Sequence, residues 1–101
     1  MRVLIINYAW DLVKQNIGNQ LDDQRQKMLC DSVISIWQAG DPHNAMELCQ
    51  GISDLDGDTA KSILSAAVNQ LKKESNFQQE YGSNPASHCL KEALLKFKIN
   101  I

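Results

Sequence analysis

Residues 21–40 read LDDQRQKMLCDSVISIWQAG. Leu21, Met28, Leu29, Val33, Ile36 and Trp37 recur at three-, four- and seven-residue steps, which lays them in one stripe along a 3.6-residue spiral. Asp22 and Asp23 stand where the unpaired N–H groups of a first turn favour negative charge, and Gly40 stands where a helix can end in a left-handed conformation. The spacing predicts a helix over 20–39. A single helix of this length is marginal in water, so its apolar stripe requires other helices to cover it.

Working back toward the N-terminus, Ile6, Ala9, Trp10, Val13 and Ile17 repeat at helical steps, and Gly18 closes the segment. Val3 to Ile6 alone would also suit a short strand, but no second convincing strand exists to pair with it. A helix over 3–17 is the consistent reading. The apolar run of Val3 to Ile6 ends at Asn7, too short for a signal-peptide core or a bilayer span.

Downstream, Asp41-Pro42 reads as an N-cap followed by proline at the first helical position, opening a short helix over 42–51 with Ala45, Met46, Leu48, Cys49 and Ile52 on one broad face. Gly51 is expected to end or fray it. The turn Ser53-Asp54-Leu55-Asp56-Gly57-Asp58 is rich in capping groups, with Asp58 the expected cap of a helix over 58–74 that carries Ile63, Leu64, Ala67, Val68 and Leu71. Residues 75–84 read as a loose connector with a helical turn or two, its Phe77 and Tyr81 docking on the core. Asn84-Pro85 repeats the cap-plus-proline signal ahead of a last helix over 85–98, striped by Cys89, Leu90, Ala93, Leu94 and Phe97.

No linker or low-complexity tract divides the chain, so the expectation is one all-α domain over residues 1–101: a compact four- to five-helix bundle-like arrangement with mostly antiparallel neighbouring helices. At 101 residues, the native surface expected from size scaling is roughly 5,700 Å². One core fits that size, and two do not.

Charge narrows the partner classes. Ten basic against twelve acidic residues leave a net charge of −2, without the global positive field of a protein that coats nucleic acid. Cys30, Cys49 and Cys89 form no CxxC pair and no disulfide framework, and read as small hydrophobes in a reducing, cytoplasmic setting, the alternatives being one disulfide plus a free thiol or a disulfide-linked dimer.

Each chemical motif has a competing plain explanation. Asp54, Asp56 and Asp58 mimic the first three ligands of a calcium loop, but glycine falls at the fourth position instead of the sixth, and Ser65 stands where the closing carboxylate belongs. Capping is the better account. His43 and Glu47 share a helix face with Cys49 nearby, yet without an HExxH pattern a solvent-facing pair is expected. Cys49 with His43, or Cys89 with His88, lacks the orienting third group of an activated thiol. No phosphate loop, nucleophile elbow or di-iron signature is present, so neither an enzyme nor a cofactor or metal site is expected.

Two functional expectations remain. The first is a small non-enzymatic protein-interaction domain, an intracellular regulator, adaptor or inhibitor that binds a partner or itself as a homodimer; Ile5, Tyr8 and Leu12 widen the first helix beyond one stripe and are its candidate interface. Trp10 and Trp37, each on an apolar stripe, are expected in the core. The alternative is a helix-turn-helix-like DNA-binding module with Lys61, Asn69, Lys72 and Lys73 as contacts, and Thr59, Ser62 and Ser65 on the same presented helix. Its connecting turn reads as longer than three or four residues, and its aspartates oppose a phosphate backbone. No membrane partner is expected.

Overall fold

In the computed structural model, which describes residues 2–100 and the side-chain surroundings of residues 8–100, every regular element is helical. There are six: α1 (Arg2–Gln15), α2 (Asp23–Gln38), α3 (Pro42–Ser53), α4 (Gly57–Leu71), α5 (Phe77–Ser83) and α6 (Ser87–Lys96). The first segment is thus helix from its start, with no strand at Val3 to Ile6. The connector is itself largely the short helix α5.

The helix ends follow from named groups. Asp22 accepts from the Arg25 N–H at 2.8 Å and Asp41 from the Asn44 N–H at 3.1 Å, capping α2 and α3. At α4 the cap is Asp56, not Asp58: its carboxylate takes the Thr59 N–H at 3.3 Å, and Asp58 lies inside the first turn. At α6 the cap-plus-proline expectation also fails. Pro85 precedes the helix and Ala86 is the N-cap residue; the Asn84 side chain instead accepts from the Ala86 N–H at 2.9 Å and donates to the Trp37 carbonyl at 2.6 Å. Gly40, at φ +67°, closes α2 and hands the chain directly to the Asp41 cap of α3.

Packing is built on two principal contacts, α2 against α4 and α3 against α6, with α1 laid across α2 and α3. Gln38, at the end of α2, donates to Glu74, just past the end of α4, at 2.7 Å, so these two helices finish side by side. The stripes meet in one interior. Leu29, Ile36 and Trp37 from α2, Leu48 and Ile52 from α3, Ile63, Leu64, Val68 and Leu71 from α4, and Leu90 and Leu94 from α6 are all buried. Trp37 is buried with its indole N–H donating to the Ser87 hydroxyl at 2.8 Å, whereas Trp10 is only half-buried.

Gly51 does not end α3. A Cβ there would lie 2.8 Å from Val13 Cγ2, so the absent side chain is what lets α1 rest on α3. The accessible surface is 6069 Å² and the radius of gyration 12.3 Å, close to the roughly 5,700 Å² and 12.7 Å expected of a compact chain this long. Among the described residues no helix is long and apolar enough to cross a membrane.

Candidate functional site

Two surface grooves bring the sequence candidates together. The first, about 710 Å³, runs between α1 and α2, where Leu12 and Leu21 meet Tyr8, Asp11, Gln15, Asn16, Gln20, Asp22 and Arg25. Of the candidate interface residues, Tyr8 is 47% exposed at the mouth, while Leu12 is buried and serves as floor, not as free surface. The Ile5 side chain lies outside the described residues. Asp22 and Arg25 are paired across one helical turn. Accepting the Arg25 N–H lowers the Asp22 carboxyl below its ordinary value, with the Arg25 charge adding to the effect.

The second groove, about 580 Å³, separates α3 from α6 and is lined by Met46, Cys49, Gln50, Ser53, Asp54, His88, Cys89, Glu92, Ala93 and Lys96. Cys89 is half-buried rather than part of the core, and its thiol donates to the Pro42 carbonyl at 3.6 Å. Cys49 is buried, and that burial pushes its thiol up to about 12, with the nearby Cys89 adding to the shift. Neither cysteine is paired with an imidazole in the hydrogen-bond network: His43 Nε2 faces Glu47 at 3.2 Å, and His88 Nε2 faces Glu92 at 3.2 Å, all four side chains exposed. The second of these pairs was legible as the same i,i+4 spacing on α6.

The acidic turn is held in structural roles. Asp56 caps α4, and the backbone of the turn is fastened to the α1–α2 loop by Gly18 N–H to Asp54 O at 2.8 Å and Asp56 N–H to Asn19 O at 2.9 Å. Among the described residues no group of three or more His, Cys, Asp or Glu side chains is arranged to hold a metal ion.

The helix-turn-helix candidates sit on α4 and just beyond it. The turn between α3 and α4 is three residues, Asp54 to Asp56, and so is shorter than the sequence suggested. Lys61, Asn69, Lys72 and Lys73 are exposed, but Thr59 is buried beside its cap and Ser65 is half-buried. Lys72 and Lys73 lie past the C-terminal end of α4, whereas the end that would approach a duplex carries Asp54, Asp56 and Asp58.

Compared with family models, with curated proteins and with solved structures, the chain matches none.

Proposed function

We propose that this chain is a non-enzymatic intracellular interaction domain that binds a protein partner, a second copy of itself included, through the groove between α1 and α2. The observation that carries this reading is the anatomy of that groove: an apolar floor of Leu12 and Leu21, an accessible aromatic at Tyr8, and a rim of Asp11, Gln15, Gln20 and Arg25. Apolar centres ringed by polar groups, with tyrosine and arginine at hand, are the composition of protein interfaces.

A photo-crosslinking side chain placed at Tyr8 in the full chain tests it. Irradiation in the native cell should give a discrete adduct, or a crosslinked dimer, that the same substitution at Lys72 does not give. Sedimentation then separates self-association from a foreign partner, and equal labelling from both positions would refute the groove as an interface.

The three-residue turn favours a second reading, a DNA-binding helix-turn-helix with Lys61, Asn69, Lys72 and Lys73 as contacts. The aspartates at the leading end of α4 count against it, because like charge opposes approach to phosphate before any base is read. Titration with duplex DNA at low and moderate salt decides: steeply salt-dependent binding supports this reading, and no binding at low salt rejects it.

A further inference from the structure

The groove between α3 and α6 joins two cysteines that stand far apart in the sequence. We propose that Cys49 and Cys89 are a peroxide-responsive pair that closes into one reversible disulfide linking α3 to α6.

Placement argues for the pair. Both residues line the same groove. The hydrogen bond from Cys89 Sγ to the Pro42 carbonyl, 3.6 Å long, places that sulfur against α3 while it stays partly accessible. In a helix the Cys49 side chain leans back toward the N-terminal turns of α3, which is the end where Cys89 docks. Small residues, Ala45 on α3 and Ala86 and Ala93 on α6 and its N-cap, are buried in the core these helices share, where α3 packs directly against α6. Burial raises the Cys49 thiol most, and the nearby Cys89 adds to that shift. Cys30 is placed elsewhere, in the groove between α2 and α4 with Lys27, Ser62 and Gln70, and cannot compete for either partner.

Exposure sets the order of events. Half-buried Cys89 meets the oxidant first: its thiolate attacks one peroxide oxygen, the O–O bond breaks, and sulfenic acid forms with release of hydroxide, which takes up a proton to become water. The Cys49 sulfur then attacks the Cys89 sulfur, the S–O bond breaks, and the departing hydroxide leaves as water with the Cys49 proton. Two thiols have lost two electrons and hydrogen peroxide has become two waters. A dithiol reductant reverses the bond by exchange.

The folded chain, treated with hydrogen peroxide, alkylated and digested, reports the outcome by mass spectrometry. The expected result is an intact mass lower by two hydrogens, a Cys49–Cys89 linked peptide, alkylated Cys30, and recovery of all three thiols with dithiothreitol. The Cys30→Ser chain should keep the bridge. In Cys49→Ser the sulfenic acid at Cys89 should persist and be trapped by dimedone. A bridge containing Cys30, or oxidation of Cys89 while Cys49 remains alkylatable, overturns the proposal. The linked peptide of the unmutated chain reads the bond directly, so the outcome does not depend on how any variant folds.

Discussion

Gly51 sits inside α3, where glycine costs a helix about 0.5–1 kcal/mol relative to alanine. Its reason is steric: an added Cβ would stand 2.8 Å from Val13 Cγ2 and 3.3 Å from Val13 Cβ. Valine is stiff about its first side-chain torsion and cannot swing aside, so overpacking at about 1–3 kcal/mol exceeds the gain in helix propensity. Gly51→Ala is therefore expected to lower stability by about 1–2 kcal/mol in urea unfolding. Val13→Ala on the same chain should recover part of that loss, and simple additivity of the two changes would show that the contact is not the cause. From sequence alone Gly51 reads as a helix terminator, because a glycine that ends a helix and one that admits a neighbour look alike until the neighbour is known.

Among the elements, the helices with continuous stripes were legible as helices, and the weakly striped α5 only as a connector with a helical turn or two. α4 buries every residue its spacing marks, but Met28 of α2 and Met46 of α3 are exposed, and Cys89 of α6 and Phe97 at its C-cap are half-buried. α5 buries only Phe77 and has no side-chain cap; it is held by the stacking of Phe77 with Tyr81, ring centroids 5.1 Å apart, and by contact of Phe77 with Trp37 at 5.9 Å. The first of these is the i,i+4 pair visible in the sequence; the second is tertiary, and no local pattern announces it. The cap of α4 shifted by two residues because aspartates alternate along the turn, each a plausible acceptor until the backbone is placed. Likewise, the placement of Cys49 and Cys89 along one groove depends on α6 docking against α3, which spacing within either helix does not encode. The caps also set a pH dependence. Backbone N–H groups of Arg25 and Asn44 hold the Asp22 and Asp41 carboxyls below the ordinary value of 3.8. A group whose folded value is depressed stabilises above its unfolded value and loses that contribution as pH falls through the folded one. Urea midpoints should decline on acidification from about pH 5 to pH 2, and less so in the double variant Asp22→Asn with Asp41→Asn, which keeps the capping acceptors without the titration. An unchanged decline would assign the acid sensitivity to other carboxylates.

For the whole molecule, the bond from Trp37 to Ser87 and the bond from Asn84 to the Trp37 carbonyl tie the second helix to the C-terminal pair. Ser87→Ala leaves a buried indole N–H without a partner, a loss of about 1–3 kcal/mol. Far-UV circular dichroism and indole fluorescence should report that loss as one coincident transition, since α6 shares its core with α3 and α4. Two separated transitions would mean that the C-terminal helices melt as a unit of their own. The bare step at Gly51 acts at this scale too. Four residues to either side the chain carries Glu47 and, just past the helix end, Leu55, so Val13 has one notch to drop into and a slipped α1 would ride up on a side chain. The N-terminal helix is indexed like a tooth in a keyway, and the groove it forms with α2 inherits its alignment from a residue on a third helix that is no part of the groove's lining.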